Sequence, residues 1–96
     1  MMTTDLTNKR RLGVIAIVIK ERDESYSAVN EILHLYGQIV VGRMGIPYKD
    51  RNLSIMAIIV DGTTDEIGAM TGKLGRIKHV AVKSMLTDKD EGDEQN

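Results

Sequence analysis

Two stretches of this chain are apolar at almost every position. Arg11–Lys20 reads RLGVIAIVIK and Asn52–Asp61 reads NLSIMAIIVD. A strand with one wet face alternates apolar and polar residues. Here Leu12, Val14, Ala16 and Val18 share one face of the first run, and Ile15, Ile17 and Ile19 share the other. In the second run Leu53, Ile55, Ala57 and Ile59 oppose Met56, Ile58 and Val60. Both runs predict strands from the middle of a sheet that needs cover on both sides.

Between them the pattern changes period. A charged turn with Asp23 or Ser25 as N-cap leads into Ser25–Tyr36, where Val29, Ile32, Leu33 and Tyr36 recur at helical spacing, and Gly37 ends the helix. Gln38–Pro47 reads as a second strand, more broken than the first because of Gly42, Arg43 and Gly45, with Pro47 suited to a strand end or edge. Tyr48–Arg51 is a polar hairpin connection. After the third strand, Thr63 and Glu66 have capping-box spacing. Ile67, Met70, Leu74 and Ile77 mark the buried stripe of a second helix, with Gly75 as its C-cap. Gly68 and Gly72 are expected to allow close packing on the first helix or the sheet. Lys78–Leu86 completes the set, with Val80, Val82, Ser84 and Leu86 opposite Ala81, Lys83 and Met85.

The order β-α-β-β-α-β predicts an α+β, ferredoxin-like fold: a four-stranded antiparallel sheet with two helices on one face. Its usual strand order puts the first and third strands in the middle, which are the two doubly apolar ones. Two helices cover one face only. The other face requires a partner, most simply another copy, so at least a homodimer is expected. A charge at Ile17 or Ile58, whichever proves to be on the free side, should break it.

Composition narrows the function. Ninety-six residues allow one domain. A net charge of −1 gives no global basic field for nucleic acid or anionic lipid. Lys9, Arg10 and Arg11 form a short basic cluster, but the acidic end, TDKDEGDEQN from Thr87 to Asn96, offsets it. No helix-turn-helix is visible, and without Trp or Phe there is little to stack on bases. Apolar runs of about seven residues fall far short of the ~20 of a membrane-spanning helix. The start, MMTTDLTNKRR, does not resemble a signal peptide. The expected organisation is a flexible segment over 1–10, one domain over 11–86 and a disordered acidic tail over 87–96, in the cytoplasm.

Candidate chemistry is sparse. There is no Cys, which removes disulfides, thiolate metal sites and a Cys nucleophile together. His34 and His79 are far apart and show no metal-ligand spacing, so no metal and no cofactor are expected. A set of Ser54, His79 and Asp61 could be assembled on paper, but nothing local supports it. The stretch Gly42–Arg51 (GRMGIPYKDR) has two readings. It is a bulged edge strand with a solvated hairpin, or a recognition loop in which glycines open space beside Arg43 and Tyr48. Asp61–Glu66 (DGTTDE) is a helix start that could bind an anion, but its own Asp and Glu residues favour a cap. Arg43, Tyr48, Asp61, Thr63 and Thr64 are expected to line one recognition surface. About eight strand residues separate its two ends, so the surface depends on Arg43 lying well back along its strand or on a second subunit.

The stretches Val41–Tyr48 (VGRMGIPY) and Val60–Leu74 (VDGTTDEIGAMTGKL) carry a close resemblance to the iron-only hydrogenase system regulators, extending over about residues 11–86. The resemblance implies an ACT-type regulatory fold, similar also to the sensing domain of the nickel-responsive repressor. It implies ACT-like sheets paired into dimers, with effectors often held between them. The repressor's nickel function does not carry over: this chain has no Cys and no His-rich segment, and the residues ahead of the first strand are too few for a ribbon-helix-helix. The expected function is a non-catalytic regulatory module that binds a small-molecule effector. The alternative is an assembly factor that contacts a hydrogenase-maturation protein. A small enzyme using Arg43, Tyr48 and Asp61 is a third reading.

Overall fold

The structure is a computed structural model and describes residues 9–20 and 23–87. Residues 1–8 and 88–96, where most of the two expected tails fall, lie outside the described residues. Arg10–Lys20 forms β1, Asp23–Leu35 α1, Val40–Tyr48 β2, Leu53–Thr63 β3, Thr64–Gly75 α2 and Val80–Leu86 β4. Short 3-10 turns at Gly37–Ile39 and Lys49–Arg51 lead into and out of β2. The four strands form one antiparallel sheet in the order β2-β3-β1-β4. The fold is therefore ferredoxin-like with β1 and β3 central, as the doubly apolar runs require.

Most boundaries follow from local chemistry. Thr63 caps α2: its hydroxyl accepts from the Glu66 N–H at 3.1 Å, and the Glu66 carboxylate accepts from the Thr63 N–H at 2.9 Å. This reciprocal pair satisfies two of the donors a helix start leaves free. At the other end the expected glycine cap is absent. Gly75 is the last helical residue, and Arg76 caps it in a right-handed conformation, so Ile77 follows the helix and packs half-buried on the core. Gly37 opens a 3-10 turn, which delays β2 to Val40. The β2–β3 hairpin turns at Asn52, in the left-handed region with φ 57°, a conformation Asn tolerates. His79 precedes β4 at φ 69°, and its carbonyl accepts from the Lys20 N–H at 3.0 Å.

The core lies between the helices and one face of the sheet. Ile15, Ile17 and Ile19 of β1 and Met56, Ile58 and Val60 of β3 meet Val29 and Leu33 of α1 and Ile67, Met70 and Leu74 of α2. Ile17 and Ile58 both lie on this covered face, fully buried. Neither can therefore test the free side, which belongs to the even-numbered residues of β1 and the odd-numbered residues of β3. Gly13 also faces the helices, and a Cβ there would run into the Leu86 side chain and the Met85 carbonyl. Gly68 and Gly72 behave otherwise. Among the described residues nothing approaches either closely; with Thr71 and Gly75 they line an open groove of about 550 Å³ beside β4.

Candidate functional site

Cross-strand pairing determines what the second sheet face presents. In the middle, Met44, Ala57, Ala16 and Lys83 form one row across β2, β3, β1 and β4. On one side of it lie Gly42, Ile59, Val14 and Met85; on the other, Ile46, Ile55, Val18 and Ala81. The pair of alanines makes a shallow trough between two ridges of Ile and Val. Outside the ridges, Leu12 and Asp61 pair at one end, and Tyr48, Leu53 and Lys20 form the row at the other. Among the described residues no helix covers these rows. Leu12, Val14, Met44, Ile46, Tyr48, Ile55, Ile59 and Met85 are 41–63% exposed.

Charge on this face is confined to its margins. Arg10 pairs with Asp61 at one end, Nε to Oδ1 at 3.3 Å, and also donates to the Asp61 carbonyl. Lys20 stands at the other end. Lys83 lies on the outer strand, opposite Ala16.

The five expected recognition residues do not converge within one chain. Tyr48 and Asp61 share the open face but stand at opposite ends of it, whereas Arg43, opposite Ile58, lies well back along its strand, three register positions from Asp61. Arg43 pairs with Ile58 and so projects from the other face, where its Nη2 donates to the Asn30 side-chain oxygen of α1 at 2.7 Å. Thr63 is the cap of α2, and Thr64 is the first residue of that helix. Of the two readings of Gly42–Arg51, the edge-strand part is visible: the β2–β3 register shifts between Val40 and Gly42, a bulge centred on Val41. Ser54, His79 and Asp61 are not neighbours. Ser54 pairs with Ile19 and His79 lies beside Lys20, both at the β3-start end of the sheet, while Asp61 is at the other.

Sequence reasoning had no signal for Asn30 as the Arg43 partner, because thirteen residues and a change of element separate them. Among the described residues no group of His, Asp or Glu could hold a metal ion, and no helix is long and apolar enough to cross a membrane.

The family model described as "TM1266-like: Iron-only hydrogenase system regulator, putative" matches residues 11–84. The chain belongs to this family. Among solved structures, the uncharacterized protein TM1266 from Thermotoga maritima is 34% identical, with a TM-score of 0.82 over 83% of this chain and 100% of that one. The ACT domain from the GTP pyrophosphokinase of Chlorobium tepidum is 17% identical, with a TM-score of 0.65 over 80% of this chain and 100% of that one. The apo form of CPII from Thiomonas intermedia K12, a nitrogen regulatory PII-like protein, is 14% identical, with a TM-score of 0.50 over 83% of this chain and 96% of that one. At those identities the last two establish the shared fold alone. No curated protein matches the chain.

Proposed function

We propose that this chain is a non-catalytic regulatory module of the iron-only hydrogenase system, working by binding in the cytoplasm rather than by turnover. The observation that carries the reading is the open sheet face, on a fold whose family is described as regulatory. A broad, shallow apolar surface with charge only at its margins suits association with another surface. It does not enclose a small substrate, as the concave pockets of enzymes do.

The module binds a small-molecule effector as an assembled oligomer, with Tyr48 and Asp61 at the ends of the open face as contact positions. Arg43, Thr63 and Thr64 complete the proposed recognition set from the opposite face and from the start of α2. The second reading, an assembly factor that binds a hydrogenase-maturation protein directly, draws on the same apolar face.

Native mass spectrometry of the protein as purified, before and after denaturation, tests the choice. A stoichiometric small mass that is released on unfolding supports effector binding. Co-purification of an identified maturation protein in fixed ratio supports the second reading. Turnover of a small molecule by the purified chain, lost in Tyr48→Phe or Asp61→Asn, would remove the non-catalytic reading.

A further inference from the structure

We propose that the free edge of β4 takes up an extended segment of a partner protein as a fifth, antiparallel strand, one that alternates apolar and acidic residues. The inference concerns the sheet edge and stands whatever covers the open face.

The backbone is the first ground. At the two ends of the β1–β4 ladder, the Lys20 N–H donates to the His79 carbonyl at 3.0 Å and the Thr87 N–H donates to the Leu12 carbonyl at 2.9 Å. Hydrogen-bonded pairs alternate along an antiparallel ladder, so the odd-numbered residues of β4 bond to β1 throughout. Val80, Val82, Ser84 and Leu86 therefore turn their N–H and C=O groups to the free side. β4 keeps one register along its whole length. The other edge does not: β2 is bulged at Val41 and carries Pro47 near its end, which has no N–H to offer. β4 is the edge on which a new ladder can form.

Space is the second. The groove of about 550 Å³ has Val80, Val82 and Ser84 along one side and Gly68, Thr71, Gly72 and Gly75 of α2 along the other. Glycine is the poorest helix former after proline. Yet α2 has three glycines in twelve residues, and among the described residues nothing comes within 4 Å of a Cβ built at any of them. Packing within the described chain does not require them; they leave room beside β4. Strand parity sorts what enters. Residues that bond to Val82 and Ser84 point their side chains into the groove, against its valines. The alternate residues point to the open-face side, beside Lys83.

Charge is the third. From Ile67 to Thr87 the chain carries Lys73, Arg76, Lys78 and Lys83 and no Asp or Glu. Lys73 is taken up by Tyr36, whose hydroxyl accepts from its Nζ at 2.7 Å. Arg76, Lys78 and Lys83 make no ion pair among the described residues. Lys83 stands at the middle of β4, so a joint between two β4 strands centred there would set like charges against each other. An acidic residue across from Lys83 is favoured instead. The edge thus turns away its own copy and suits an acidic strand, whose main chain supplies the affinity and whose alternate side chains supply the selection.

The test uses the full chain and a fluorescein-labelled peptide alternating Val and Glu, read by fluorescence anisotropy. The probe should bind saturably. Lys in place of its Glu residues should weaken binding about tenfold or more. N-methylation of its valines, whose N–H groups face β4, should do the same, and N-methylation of its glutamates should not. In the protein, Ser84→Pro removes an outward donor without touching the β1 ladder, and Gly72→Leu fills the groove. Each should weaken binding about tenfold or more, with the melting temperature within a few degrees of wild type. If Ser84→Pro fails to fold, the N-methylated probes and Gly72→Leu decide. No saturable binding at about millimolar concentration overturns the proposal. So does equal binding of the lysine probe, indifference to methylation of the valines, or binding that survives Gly72→Leu.

Discussion

The two faces of β1 and β3 make the instructive comparison. Both are apolar and belong to the same two strands: Ile, Met and Val on one side, Leu, Val, Ala and Ile on the other. Yet Ile15, Ile17, Ile58 and Val60 are fully buried, while their neighbours Val14 and Ile59 are 41% and 45% exposed. One face is the core of a single chain; the other is unfinished within it. The same residue types therefore do different physical work. On the covered face they stabilise the fold directly. On the open face their contribution appears only when something covers them, so it depends on concentration.

The largest expected effect comes from the covered face. Ile17→Ala and Ile58→Ala each leave a cavity beneath the helices and should cost about 2–5 kcal/mol, read from urea unfolding. For a domain this small that approaches the whole stability. Ile59→Ala, one residue away on the open face, should cost no more than about 0.5 kcal/mol in dilute protein. Equal losses at Ile58 and Ile59 under dilution would erase the distinction between the faces.

Capping is next in size. Thr63→Ala removes the acceptor for the Glu66 N–H and should cost about 1 kcal/mol without changing the mass of the assembly. A change in oligomeric state would place the start of α2 in the interface, which the present division of faces does not.

Gly68→Ala and Gly72→Ala sharpen the comparison in the opposite direction. Both sites are helical, at ordinary backbone angles, and nothing among the described residues approaches either closely. Each substitution should stabilise the chain by about 0.4–1 kcal/mol. Loss of stability or of assembly would show that another copy packs against the α2 groove and that the open sheet is not the sole joint between copies.

A comparably small effect on stability is expected at Arg43→Ala. It removes one exposed hydrogen bond to Asn30, worth about 0.5–1 kcal/mol at most. If the proposed recognition set is right, binding of the retained small mass should fall while the melting temperature moves by only a few degrees. Unchanged binding would remove Arg43 from the set and leave it as a link between β2 and α1.

Much of the fold could be read from the chain because the period of apolar residues is local and the two helices and four strands each carry it. The capping box at Thr63 and Glu66 was legible for the same reason: both partners lie within one turn. Errors collected at boundaries. Gly75 has the composition of a C-cap, but Arg76 takes that place. Gln38 and Ile39 belong to a 3-10 turn, so the strand expected from Gln38 begins at Val40.

The candidate site was far less legible. Tyr48 and Asp61 do share a face, as strand parity implies once the register is known. Arg43 was grouped with them by neighbourhood along the chain, but pairing with Ile58 turns it to the opposite side. Its contact with Asn30 joins two elements whose relative placement no local pattern encodes.

What the sequence determined by itself is that β1 and β3 are apolar on both sides, hence central, and that two helices cannot cover both. Residue identity and the period of two suffice for that. Only the tertiary structure decided which side the helices take. Even positions of β1 and odd positions of β3 look as hydrophobic as their alternates, and the choice between them rests on how the β1–α1 and β3–α2 crossovers lay the helices across the sheet. That choice buried Ile17 and Ile58, exposed Val14 and Ile59, and turned a general need for cover into a definite surface.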